Sequence, residues 1–224
     1  MFAVCFRRGA FPLATLLLLS ANGCQIGQTV PPAKLLDHRS LLDFTGLKPP
    51  EAVDDLQVSV SIPYRWEPLG RHKTALWTHE QWRTPSETTG VGVVHVHMPL
   101  PLSARTLVWL AKQEYVNKRE DGRLIAEWTD TLGRPWFEAE NKRFHVTGYA
   151  LTKGFDAWII YCGYRTGTPP RPAETSLAGR CLQSILPLPL IPEDQRPAAN
   201  LHTPMQTADE HTQPPVPAAP KRSS

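Results

Sequence analysis

No acidic residue occurs in the first 23 positions of this 224-residue chain, and no aromatic residue occurs from Leu188 onward. The middle is different: all seven tryptophans fall between Trp66 and Trp158. A folded centre with unlike ends follows. The chain also lacks a Gly-rich phosphate loop, a Gly-x-Ser-x-Gly, a His-Glu-x-x-His and a Cys-x-x-Cys. Those absences remove the nucleotide-binding, hydrolase, zinc-protease and redox sites that a sequence displays most openly. Nor is there an excess of one charge. The formal net charge is +3, and once Arg7 and Arg8 are set aside 22 bases face 21 acids. No basic face is implied, so nucleic acid is not an expected partner. Clusters such as Arg71-His72-Lys73 and Lys142-Arg143 read as solvated charges of loops or strand ends.

The first 23 residues have the three-part order of an export signal. Arg7 and Arg8 precede the apolar run Ala10–Leu19, and the small-residue stretch Ser20-Ala21-Asn22-Gly23 follows. The apolar run is shorter than the roughly 20 residues that span a bilayer, which disfavours a transmembrane helix. Ala21 and Gly23 suit ordinary signal peptidase, which would cut before Cys24. Leu19-Ser20-Ala21-Asn22-Gly23-Cys24 also resembles the lipobox of bacterial lipoproteins, in which the cysteine is acylated and becomes the new N-terminus. Gly23 and Cys24 match that pattern, whereas Ala21 and Asn22 depart from its commonest residues. The resemblance implies a membrane anchor at Cys24. Gln25 after the cysteine, under the sorting rule of Gram-negative lipoproteins, implies the outer membrane, with the domain facing the periplasm or cell exterior. A secreted chain with a free N-terminal cysteine is the alternative.

Cysteine usage agrees with an anchor. Cys5 leaves with the signal, so Cys24, Cys162 and Cys181 remain. An odd thiol is a liability in an oxidising compartment. Acylation of Cys24 would leave Cys162 and Cys181 as a candidate disulfide pair, with two buried thiols as the alternative.

The organisation reads as a signal at 1–23, a lipidated N-terminus and tether at 24–55, a globular domain at 56–187, and a disordered proline-rich tail at 188–224. Leu35-Leu36 and Leu41-Leu42-Phe44 suggest a short amphipathic turn in the tether. Within the domain, strands are expected at Val58–Ile62, Ala75–Arg83 and Val91–Met98. Ser103 is a suitable N-cap for a helix to about Asn117, with Leu107, Leu110, Ala111 and Tyr115 on one face. Further strands are expected at Arg123–Asp130 and Trp136–Lys142. Phe144–Thr152 and Ala157–Arg165 read as a hairpin around Lys153-Gly154. Pro172 opens a last helix to about Leu186.

Ala157–Arg165 is apolar on both faces, which places it centrally in a sheet covered on both sides. The last helix repeats Leu177, Cys181 and Ile185 at a spacing of four, so Cys181 should face that sheet. The fold class expected is α+β: an antiparallel sheet flanked by helices. The order of elements, with an early strand before Pro63 and Trp66, a strand pair, the Ser103 helix, a meander and a final helix, resembles the PsbP-like family. That resemblance implies an α/β/α sandwich and a binding or assembly role, and it carries no functional residue onto this chain.

Three residue sets carry candidate chemistry. His95 and His97 share a strand face, and symmetric pairing of the flanking strands would set His79 opposite His95. Three such imidazoles suit Zn or Cu, against a polar sheet face of neutral histidines. Glu138 and Glu140 alternate like paired catalytic acids or like strand-surface acids. Trp66, Trp77, Trp82, Trp128 and Trp136 line a groove or pack a core. The expectation is a non-catalytic, membrane-anchored module without a cofactor that binds an envelope protein, with a metal-dependent enzyme using His79, His95 and His97 as the alternative.

Overall fold

The computed structural model describes residues 31–113, 116, 121–168 and 170–197. The signal, Cys24 and most of the tail lie outside the described residues, as does Tyr115 of the expected helix face. Among the described residues the chain runs α1 (Pro32–Ser40), β1 (Glu51–Val53), β2 (Val58–Val60), β3 (Glu67–Lys73), β4 (Trp77–Arg83), β5 (Thr89–His97) and α2 (Ala104–Lys112). It continues through β6 (Arg123–Thr129), β7 (Pro135–Glu140), β8 (Phe144–Lys153), β9 (Asp156–Arg165), α3 (Pro172–Ser184) and β10 (Leu186–Pro187).

Strands β3 to β9 make one antiparallel sheet in the order β3-β4-β5-β9-β8-β7-β6. β9 is the middle strand, as its two apolar faces predicted. One face of the sheet carries Trp158, Ile160, Tyr149 and Val93, and α3 covers it with Ala178, Cys181, Leu182 and Ile185. The other face carries Ala157, Ala150, Phe137 and Val146 beneath Leu107 and Val108 of α2. Helices on both faces of an antiparallel sheet give the expected α+β sandwich.

Local signals explain the helices. The Ser103 side chain accepts a hydrogen bond from the Thr106 N–H at 3.1 Å, capping α2. Pro172 stands at the first position of α3, where its missing N–H costs nothing. α1 begins on Pro32 in the same way and buries Leu35.

The packed region is wider than 56–187. Leu35, Leu47, Ala52 and Val53 belong to the larger core, and so do Leu188, Leu190 and Ile191. β1, β2 and β10 form a small second sheet that joins the two ends, and the Leu188 N–H donates to the Gln57 carbonyl at 2.7 Å. The stretch 188–191, expected as the start of the tail, is part of the core.

Two buried polar groups pin the α3 side. Trp158 Nε1 donates to the Leu56 carbonyl at 2.8 Å. The Tyr149 hydroxyl donates to the carbonyls of Leu182 and Ile185, at 3.0 and 3.3 Å, at the end of α3. Tyr149→Phe leaves those carbonyls without that donor, and it is expected to cost about 1 kcal/mol. Urea unfolding checks this; an unchanged midpoint would show that the bonds contribute nothing net.

Candidate functional site

The histidines do not converge. β4 and β5 pair with His79 opposite Val94 and with Thr78 opposite His95, one residue away from the symmetric register. A one-residue slip sends a side chain to the other face. His79 therefore lies on the α2 side of the sheet and His95 and His97 on the α3 side. This corrects the three-imidazole metal site at its first premise. Among the described residues no group of three His, Cys, Asp or Glu side chains is arranged to hold a metal ion.

His95 and His97 instead share one carboxylate that sequence reading overlooked. His95 Nε2 lies 3.1 Å and His97 Nδ1 2.9 Å from Asp156 Oδ1. Burial alone would raise the Asp156 pKa, but the hydrogen bonds from His97 and His95 outweigh it and hold the carboxyl below its usual range. The His95 ring stacks on Trp158 with centroids 5.2 Å apart. The signal was available, since Asp156 opens the strand that His97 pairs with.

Glu138 and Glu140 do share a face, and each has a basic neighbour. His145 Nε2 lies 2.7 Å from Glu138 Oε1, while Arg123 Nε donates to Glu140 at 2.7 Å. The Arg123 hydrogen bond is the main cause holding the Glu140 carboxyl low. A carboxyl so held is a poor general acid. The His145 contact follows from the tight β7–β8 hairpin, in which Glu140 pairs with His145.

Cys181 faces the sheet as its spacing predicted, and Cys162 stands on the same face of β9. Both are free thiols, so the candidate disulfide is not formed. Burial pushes the Cys162 thiol up to about 11 and raises Cys181 as well, which leaves both protonated and unreactive at neutral pH. The tryptophans are chiefly core: Trp66, Trp82, Trp136 and Trp158 are buried, while Trp128 stacks on Trp136 at 5.6 Å with its outer face exposed.

A concave feature lies on the α2 side. α2 packs over β7, β8 and β9, and beside it opens a cleft lined by Leu69, Gln81, Phe144, Val146, Tyr161 and Gly163. A glycine makes its shape. A Cβ on Gly92 would lie 2.5 Å from the Tyr161 ring and hydroxyl, so glycine alone lets that ring lie across β5. The Tyr161 hydroxyl is 2.7 Å from His79 Nε2 and accepts from the Gln81 amide. With Gln81 donating, the hydroxyl donates to a neutral imidazole.

Burial, reinforced by the charge of His72, lowers the His79 pKa to about 4. Burial raises the Tyr161 pKa, with the Gln81 hydrogen bond opposing it. Neither partner is poised to exchange a proton near neutral pH, whereas a general base works best there. The network orients a ring at a cleft wall.

No family model matches this chain, and no curated protein matches it. Among solved structures the chain is similar to cyanobacterial PsbP (CyanoP) from Synechocystis sp. PCC 6803. The two share 14% identity over 63% of this chain and 92% of that one, with a TM-score of 0.43. It is also similar to a protein from Bacteroides thetaiotaomicron VPI-5482, with 8% identity over 62% of this chain, 47% of that one and a TM-score of 0.30. This chain thus spans about half the length of the Bacteroides protein.

Proposed function

We propose that the chain is an exported lipoprotein, anchored through acylated Cys24, whose folded unit is a non-catalytic binding or assembly module of the cell envelope. The observation that carries the anchor is Gly23-Cys24 directly after an acid-free, arginine-led apolar segment. Two or more acyl chains would hold such a protein stably, as a single chain does not. Gln25 directs it to the outer membrane, and its partner is an envelope protein.

The chemistry of the folded unit supports the non-catalytic half of the reading. His79 stays neutral and Tyr161 keeps its proton through neutral pH, and the Glu140 carboxyl is tied to Arg123. Among the described residues no helix is long and apolar enough to cross a membrane.

Palmitate fed to growing cells is expected to label the chain, and Cys24→Ser should abolish the label. An unlabelled parent chain sinks the anchor. Elemental analysis tests the other half: one metal ion per purified chain, lost on His95→Ala, would overturn the non-catalytic reading.

A further inference from the structure

Three adjacent loops at one end of the large sheet each present a large apolar side chain to solvent. Leu76 in the β3–β4 turn is 53% exposed, Phe155 in the β8–β9 turn 52%, and Leu100 after β5 45%. Backbone hydrogen bonds knit the loops together. The His97 N–H donates to the Leu76 carbonyl at 3.1 Å, and the Met98 N–H to the Phe155 carbonyl at 2.8 Å. The His97 and Phe155 rings lie 6.3 Å apart. Single exposed apolar residues are ordinary; three on neighbouring turn tips form a surface.

Three cations stand around that surface. Lys73 and Lys153 flank the tips, Arg105 stands in the first turn of the helix that follows Leu100, and all three are exposed. Lys153 also donates to the Pro189 carbonyl. Two of the nearby acids are engaged, Asp156 with His95 and His97, and Asp55 with Arg71 and Lys73. A convex apolar centre with a cationic rim is complementary to an anionic lipid surface, where apolar tips enter the headgroup region and long basic side chains meet phosphate.

The tether leads to the same end. α1 passes beside the β6–β7 turn, where His38 lies in the field of Arg134 and Asp130. That turn is at the same end of the sheet as the β8–β9 turn. Cys24 precedes Pro31 by seven residues, which span at most about 25 Å fully extended. An anchor there keeps this end of the domain within reach of the bilayer.

We infer that the Leu76–Leu100–Phe155 tip is a membrane-docking surface, pressed against the anionic lipid in which the acyl chains of Cys24 are embedded. This rests on the anchor reading for its orientation, and its test is independent of acylation. The mature chain from Gln25 to Ser224, which lacks only the acylated residue, is sedimented with vesicles of phosphatidylglycerol and phosphatidylethanolamine. Phosphatidylcholine vesicles run in parallel.

The chain should sediment with the anionic vesicles at least tenfold more strongly than with phosphatidylcholine, and less as salt rises. Leu76→Ser/Phe155→Ser should weaken that binding tenfold or more while the thermal midpoint holds. Should that variant unfold, Arg105→Glu/Lys153→Glu, which keeps the apolar tips, should still lose the preference for anionic lipid. Docking is overturned if the parent chain fails to sediment with anionic vesicles. It is equally overturned if the folded tip variant, or the charge variant, binds as the parent does, or if binding needs a membrane protein in the vesicles. Failure of palmitate labelling with vesicle binding intact would instead remove the anchor and leave the docking surface standing.

Discussion

Gly92→Val is expected to destabilise the domain by about 3 kcal/mol, the upper part of the range for overpacking a filled site. The new Cβ would stand where the Tyr161 ring and hydroxyl now lie. The ring cannot swing aside freely, because its hydroxyl is held by His79 and Gln81. Displacing it also strips those buried side chains of a partner, adding to the steric cost. Tyr161→Leu in the same chain should relieve the collision, so the double variant should be more stable than the summed single effects by about 1 kcal/mol or more. Strictly additive losses in urea unfolding would show that Gly92 and Tyr161 are not coupled and that the cleft has another origin.

Mild acid should weaken the parent domain while leaving His79→Gln nearly unaffected. In the folded chain the imidazole titrates near 4, because burial and the charge of His72 oppose protonation; an unfolded histidine titrates near 6.5. Above pH 6.5 it is neutral in both states and costs nothing. As pH falls from 6.5 towards 4 the unfolded chain takes up a proton that the folded chain refuses, so stability declines across that window. The loss should reach about 2 kcal/mol by pH 5 and about 3 kcal/mol in full. Asp130 and Asp156, held low, add their own losses only as pH falls below the ordinary carboxyl range. His38 is also lowered by burial, and adds a smaller term in the same direction because it is more exposed. Unfolding midpoints at pH 7 and pH 5 decide it: equal acid losses in parent and variant would mean His79 is not buried in its neutral form.

The two outcomes bear on one network read from opposite sides. Gly92→Val pushes the Tyr161 ring off its glycine, while acid charges the imidazole that accepts from its hydroxyl. A domain in which both fail together has a single cleft wall built on Gly92, Tyr161, His79 and Gln81. None of that wall was apparent from spacing. His79 and Tyr161 are 82 positions apart, and β4 meets β9 only through β5.

What could be read locally was read well where local chemistry is decisive. Ala157–Arg165 declared itself the central strand because both of its faces are apolar. Ser103 and Pro172 marked helix starts because a cap and a missing N–H act within one turn. β3 escaped notice because it is an edge strand. Pro68, Gly70, Arg71, His72 and Lys73 guard an exposed edge against pairing with other chains, and they look like a loop when read alone.

By itself, the sequence determined the sandwich class, the middle strand and the face on which Cys181 lies. Each rests on a short run or on one period. The tertiary structure alone decided that His79 parts from His95 and His97, that Cys162 and Cys181 stay unbonded, and that Leu35 and Ile191 close the same core. The reason is common to all three. Strand register and burial are set by partners distant in the chain, and a shift of one residue in pairing reverses every face.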